Sequence, residues 1–230
     1  MDPDDLQQLI AERPDGALDH SLTTEQFDFC IRKAPGAAIL NSRSSKRMSA
    51  KQFDECCRLN PASAIFSRRK LSLEQMEFCC QRAPAVILRN LSWDLPRRFL
   101  PRFKPTKAQI ATCCRHAPAE ALQLIAGKME KGLLDECARA APAAALQHAT
   151  PLMDDALFTG CAKAAPLAAI RWGHGRLTDD DLVRHIAGRG VEIRHLLVSE
   201  PALVLRLSRL SDRLGQGIVA AVSEAIVMAM

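Results

Sequence analysis

The stretch Cys56-Cys57-Arg58-Leu59-Asn60-Pro61-Ala62-Ser63-Ala64-Ile65 decides the fold, because the chain keeps rewriting it. A cysteine followed five residues later by a proline occurs six times: Cys30/Pro35, Cys56/Pro61, Cys79/Pro84, Cys113/Pro118, Cys137/Pro142 and Cys161/Pro166. Two further copies put leucine in the cysteine position, Leu9/Pro14 and Leu196/Pro201. A fixed internal period marks stacked supersecondary units, none of which buries its apolar face alone.

Each copy is preceded by a helix-start signal. Thr23 is followed three residues on by Gln26, Ser49 by Gln52, Ser72 by Gln75 and Thr106 by Gln109, the spacing of a capping box. Thr178 and Asp181 repeat it with an acid, which suits the positive end of the helix dipole. Apolar residues then fall at intervals of three, four and seven, as in Phe27, Cys30, Ile31 and Ala34, and so share one helical face. The proline ends this helix and opens the next. Behind it comes an aliphatic phrase, from Ala17-Leu18 and Ala38-Ile39 through to Val204-Leu205. The pattern predicts a helix of about eleven residues meeting one of about eight at a proline corner.

Successive cysteines of the motif lie 26, 23, 34, 24 and 24 residues apart. The predicted fold is all-α: a right-handed α-solenoid of about eight to nine short helix-turn-helix repeats of about 24 residues. One domain is expected over 1–230. It comprises an N-terminal capping repeat (1–21), six full repeats (22–176) with an insertion near 89–104, and eroded repeats with a C-terminal capping helix (177–230). In the eroded copy Leu182, Val183, Ile186 and Ala187 keep the apolar face, and Val191 replaces the proline.

Composition agrees with the helical reading. Hydrophobic residues make up 48% of the chain, many of them alanine, while aromatics are 4% and tyrosine is absent. Nine cysteines is an odd number, the start is acidic, and no secretory signal opens the sequence. The cysteines are therefore expected as reduced thiols in a reducing, cytoplasmic compartment. The most apolar run, Ile218 to Met230, is short and holds Glu224, so no transmembrane segment is expected.

The chemistry-bearing residues fall into three groups. Cys56-Cys57, Cys79-Cys80 and Cys113-Cys114 look like metal ligands, but neighbours on a helix point about 100° apart and one pair cannot chelate a tetrahedral ion. They are read as packing residues, with a metal-binding or redox ladder as the alternative. The six histidines are scattered, and no His-Glu-x-x-His, phosphate loop or nucleophile elbow is present. His185 and Asp181 are read as a surface pair four residues apart. No catalytic residue, metal site or cofactor is expected, and an enzyme would need a site assembled between distant repeats.

Charge is the third group. Residues 1–42 carry net −5, residues 43–115 net +11 and residues 116–230 net −1, which together give the formal +5. Arg43, Lys46 and Arg47 close the first repeat, Arg68, Arg69 and Lys70 close the second, and Arg89, Arg97, Arg98, Arg102 and Lys104 follow in the insertion. Equivalent loops of a stacked array line up, so these cations are expected to form a ridge for phosphates, acidic proteins or anionic lipid; the alternative is ordinary solvated loops. The insertion adds Trp93, Phe99 and Phe103, three of the ten aromatic residues, and is the expected contact element. Its alternative is an extra helix covering the core.

Leu22-Thr23-Thr24-Glu25-Gln26 and Leu71-Ser72-Leu73-Glu74-Gln75 resemble the opening of TAL-effector repeats, a DNA-binding family. The period here is shorter and the paired glycines that present base-reading residues are missing, so no base-reading position carries over. The cap–apolar–proline–leucine order is also similar to the repeats of mitochondrial transcription termination factors, with a different period and the aliphatic residue one place earlier here. Both resemblances imply a helical repeat and a nucleic-acid partner. The sequence itself favours a non-enzymatic scaffold binding another macromolecule, first a protein, as a bacterial effector or regulator would, and second a nucleic acid along the basic stretch 43–115.

Overall fold

The chain turns at the residue before each repeated proline. Arg13, Ala34, Asn60, Ala83, Ala117, Ala141, Ala165 and Glu200 all leave the helical region, with φ between −130° and −140° and ψ between 45° and 75°. Proline clashes with a helical conformation in the residue before it. Its fixed φ and missing N–H suit the first position of the next helix. In the six cysteine copies the turning residue's N–H donates to the cysteine carbonyl at 2.8–2.9 Å. The unvarying offset of five is thus the last i→i+4 hydrogen bond of one helix plus the first residue of the next.

The computed structural model describes residues 2–92, 105–187 and 189–229; among these are nineteen α-helices and no strand. The protein is all-α. Among the described residues no helix is long and apolar enough to cross a membrane. The chain forms two compact units, Met1–Leu124 and Ile125–Met230. The first holds α1 (Pro3–Glu12), α2 (Pro14–Ala17), α3 (Thr24–Lys33), α4 (Pro35–Leu40), α5 (Ser42–Arg47), α6 (Ala50–Leu59), α7 (Pro61–Ala64), α8 (Leu73–Arg82), α9 (Pro84–Ser92), α10 (Lys107–His116) and then α11 (Pro118–Ile125). The second holds α12 (Lys131–Ala140), α13 (Pro142–His148), α14 (Asp155–Ala164), α15 (Pro166–Gly173), α16 (Asp179–Ile186), α17 (Gly190–Ser199), α18 (Pro201–Ser208) and α19 (Gln216–Ala229).

All four glutamine capping boxes form with both reciprocal bonds. In two of them the glutamine also reaches the first helix of the preceding repeat: Gln52 Nε2 donates to Asp28 at 2.5 Å and Gln75 Nε2 to Asp54 at 3.2 Å. Cap and inter-helix link are therefore one side chain. Asp154 and Thr178 cap α14 and α16 with their side-chain oxygens, which accept from the Leu157 and Asp181 amides.

Within each unit a helix packs on its own hairpin and on the next. In the first, α3 meets α4 and α6, α4 meets α6 and α7, and α6 and α7 meet α8. In the second, α13 meets α14 and α15, α15 meets α16 and α17, and α17 meets α18 and α19. All nine cysteines are buried and unbridged. Facing them, Leu18, Ile39, Ile65, Leu88, Leu122, Leu146 and Ile170 are at most 3% exposed. Burying one such side chain contributes about 1.5–3 kcal/mol, which makes this aliphatic row the principal stabilising feature of the short second helices.

Four expectations are corrected. Arg43, Lys46 and Arg47 lie on a helix, α5, and not in a loop, because the Asn41 side chain accepts from the Arg43 and Ser44 amides and caps it. The helices that start on the repeated prolines run from four to nine residues, whereas the six first helices that carry the motif cysteines are all ten residues long. In the eroded copy the second helix begins at Gly190, one residue before Val191, which is 80% exposed. A side chain at Gly190 would stand 3.2 Å from the Gly217 carbonyl oxygen, so glycine lets α17 approach the start of α19. Finally, Leu205 is 63% exposed while Leu203, Val204 and Leu207 are buried, since α18 turns its apolar face to α17 and α19.

Candidate interaction surface

The basic residues of the first unit sort into two kinds. Arg47 turns inward: its guanidinium lies 4.3 Å from the centre of the Phe27 ring and donates to the Leu22 carbonyl at 2.9 Å. Arg69 repeats this one hairpin later, 4.6 Å over Phe53 and donating to the Met48 carbonyl at 3.1 Å. In the second unit Arg176 sits 4.5 Å over Phe158 and donates to the Thr150 and Met153 carbonyls at 2.8 and 3.1 Å. Arg206 donates to the Leu177 carbonyl at 2.7 Å and pairs with Asp179 at 2.6 Å.

Leu22, Met48, Met153 and Leu177 each stand just before a helix cap, where the carbonyl has no acceptor role in the helix. The arginine fork satisfies that carbonyl and, in three of the four, covers the aromatic ring five residues on. Arg47 and Arg69 therefore clamp one hairpin to its neighbour. Arg43 is tied as well, donating to the Asp19 carbonyl at 2.6 Å beside an Asn41–Asp19 hydrogen bond of 2.7 Å.

Lys46, Arg68 and Lys70 are the other kind. They are exposed and have no hydrogen bond or ion pair among the described residues. Arg89 is exposed on the last turn of α9. Trp93, Arg97, Arg98, Phe99, Arg102, Phe103 and Lys104 lie outside the described residues.

The three free cations rim two hollows of the first unit. One, of about 400 Å³, has Ile39, Leu40 and Met48 on its floor and Lys46 and Arg68 on its rim. The other, of about 480 Å³, is lined by the apolar Ile65, Leu71, Leu73 and Met76 and the polar Ser72 and Gln109, together with Arg68 and Lys70. Arg68 and Arg69 line both and form the wall between them. No acidic residue lines either hollow among the described residues. In the second unit a hollow of about 370 Å³ is lined by Asp135, Arg139 and Asp154, and one of about 520 Å³ beside Trp172 carries Arg171, Arg189 and Glu192, so charge there is mixed.

Six of the buried thiols, Cys30, Cys56, Cys57, Cys79, Cys113 and Cys161, are raised, while Cys80 is lowered by the hydrogen bond it accepts from Cys113. Burial pushes Cys56 up to about 11 and Cys57 and Cys79 up to about 12. Cys113 is raised first by the hydrogen bond it donates to Cys80 and then by burial. Only the thiolate attacks or binds metal, so the raised side chains act as small apolar groups with weak donors. Cys56 Sγ faces the Ile31 carbonyl at 3.8 Å and Cys161 Sγ the Ala138 carbonyl at 3.5 Å. Among the described residues no group of three or more histidine, cysteine or acidic side chains is placed to hold a metal ion.

His185 sits seven residues after its cap, where six other copies carry cysteine and two carry leucine. Its Nε2 lies 3.1 Å from the Ala162 carbonyl oxygen and its Nδ1 2.7 Å from that of Asp181. The expected His185–Asp181 side-chain pair is thus corrected: the ring meets the backbone, and the Asp181 carboxylate takes Thr178 and Arg184 instead. The apolar floors of the hollows and the clamp role of Arg176 and Arg206 were missed from sequence. A usable signal existed for the clamps, since the copies with phenylalanine four residues after the cap (Phe27, Phe53, Phe158) are those followed by a stacking arginine.

Comparison of the chain with protein-family models, with curated proteins and with solved structures finds no match.

Proposed function

We propose that this chain is a non-enzymatic helical-repeat scaffold, a right-handed α-solenoid of about eight to nine hairpins of about 24 residues, that works by binding a protein. The observation that carries the reading is the sorting of its cations: Arg47 and Arg69 are clamped to backbone carbonyls, while Lys46, Arg68 and Lys70 are unpaired among the described residues and line two partly apolar hollows. Unpaired arginine beside exposed aliphatic surface is the composition of a protein interface. The near-neighbour packing within each unit supports the solenoid, whose extended surfaces suit such a partner. Raised thiols and a histidine with both ring nitrogens on backbone carbonyls support a structural use of the groups an enzyme would employ.

The test is affinity capture with the full chain and with a Lys46→Glu/Arg68→Glu/Lys70→Glu variant whose helicity is checked by circular dichroism. A partner retained by the wild type and lost by the variant supports the reading, and identical partner sets overturn it. Nucleic-acid binding is the second reading, favoured by the +11 of residues 43–115. It requires affinity that falls steeply with salt, with a slope reduced by about one for each phosphate-contacting cation neutralised. A gel-shift series without binding at low salt removes it.

A further inference from the structure

We propose that the two hollows flanking Arg68 and Arg69 form one docking groove for an acidic peptide segment that carries two apolar anchors with carboxylates between them. This deepens the protein-binding reading and rests on it. Each hollow is within the range of ligand pockets, about 300–1,000 Å³, and each has an aliphatic floor that is partly open to water. Leu40 is 49% exposed in the first and Leu73 is 83% exposed in the second, so both offer apolar area that a partner would remove from water. The wall between the hollows carries Arg68, and Lys46 and Lys70 stand on its two sides. A segment crossing the wall therefore meets cation between two apolar seats.

Charge complementarity names the occupant. These three cations lack partners in the fold, and no acid lines the groove among the described residues. The two hollows of the second unit each contain their own acidic residues and have no such one-sided demand. The floors also discriminate between polyanions. Single-stranded nucleic acid stacks its bases on aromatic side chains, whereas the apolar lining here is Ile39, Leu40, Met48, Ile65, Leu73 and Met76. Aliphatic seats fit leucine or methionine side chains of a peptide. Arg69 lines both hollows as well, and its bond to the Met48 carbonyl and its seat on Phe53 fix the wall in place.

The experiment is fluorescence anisotropy of the full chain with a fluorescein-labelled peptide of roughly twelve residues, rich in glutamate, with one leucine toward each end. Saturable binding is expected. It should weaken about tenfold or more on Arg68→Glu or Lys46→Glu, and also on Leu73→Ser or Leu40→Ser, all exposed positions whose helicity is checked alongside. Changing the peptide's leucines to serine, or its acids to lysine, should abolish binding. Equal binding of the serine peptide overturns the proposal, because only diffuse charge attraction would remain. Tighter binding of a single-stranded oligonucleotide, or of phosphatidylserine vesicles, that displaces the peptide also overturns it. If no peptide binds but the triple charge reversal still loses a captured partner, the groove falls and the scaffold reading stands. If the reversal changes neither, both fall.

Discussion

Replacing Arg176 by alanine tests whether the clamps hold the hairpins together. Its side chain is 29% exposed, and one guanidinium nitrogen, Nη1, faces the carbonyls of both Thr150 and Met153. Hydrogen bonds to a charged group contribute about 1.5–3 kcal/mol, and a shared donor counts once. The stack on Phe158 adds about 0.5–1 kcal/mol. The Asp155 carboxylate is fully exposed, so solvent screens its pairing with Arg176 and nothing is added for it. The expected loss is about 3 kcal/mol, a shift of roughly 1 M in the urea midpoint. Arg176→Lys keeps a point charge without the planar fork and should recover about half of it. Arg139→Ala, where the side chain is 71% exposed and stands 3.9 Å from Asp135, should change stability by less than about 0.5 kcal/mol. A Trp93→Phe background leaves Trp172 as the single tryptophan, so its fluorescence follows the second unit alone. If Arg176→Ala and Arg139→Ala shift the midpoint equally, or lysine restores it fully, the clamp assignment is refuted.

Three further outcomes follow from the geometry. Gly173→Ala places a methyl group 2.9 Å from the buried Phe158 ring; overpacking of about 1–3 kcal/mol outweighs the gain in helix propensity of up to about 1 kcal/mol, and a raised urea midpoint would contradict it. Native protein treated with an aromatic disulfide reagent at neutral pH should release no chromophore until it unfolds, because all nine thiols are buried and burial raises Cys56, Cys57 and Cys79 to about 11–12; a fast stoichiometric burst in the folded state would show the reverse. The Asp154 carboxyl is held below its usual range, first by the Leu157 amide and then by Lys131. A lowered carboxylate stabilises the fold above its unfolded value, near pH 4, and loses that contribution as pH falls through the lowered value. The stability difference between wild type and Asp154→Asn should therefore shrink on acidification below about pH 4; a difference that stays constant there refutes the assignment.

What was legible in the sequence was local. A capping box, a cysteine carbonyl four residues before a turning residue and a proline at the start of a helix all lie within a dozen residues of one another, and each left its spacing in the chain. What was not legible depended on a neighbouring hairpin. Arg68 and Arg69 are adjacent and chemically alike, yet Arg69 turns to a carbonyl twenty-one residues back while Arg68 faces water. Gln52 reads as a cap, but its second role is set by Asp28 on another helix. Gly190 was passed over for Val191 because the eroded copy was aligned on apolar character; counting from Thr178 to His185, the cysteine register, gives the observed start of α17. Leu205 follows Pro201 at the distance that the buried Ile65 keeps from Pro61, and only the packing of α18 on α17 and α19 turns it outward.

The clamps and the free cations are one device, and a pair of neighbouring substitutions separates their shares. Arg69 anchors the wall of the proposed groove through Met48 and Phe53, so the backbone on either side of it, which carries Arg68 and Lys70, is held in place. Arg69→Ala should then lower stability by about 2 kcal/mol, through one charge-assisted hydrogen bond and one ring contact, and weaken the acidic peptide as well by loosening the wall. Arg68→Ala removes an exposed side chain with no hydrogen bond or ion pair among the described residues, so stability should stay within about 0.5 kcal/mol while peptide affinity falls. Measured on the same preparations by urea titration and anisotropy, the two variants should lie on different lines: one moves both quantities, the other only affinity. A destabilised Arg68→Ala, or an Arg69→Ala that loses affinity with its stability intact, would mean that the inward and outward arginines had been assigned the wrong way round.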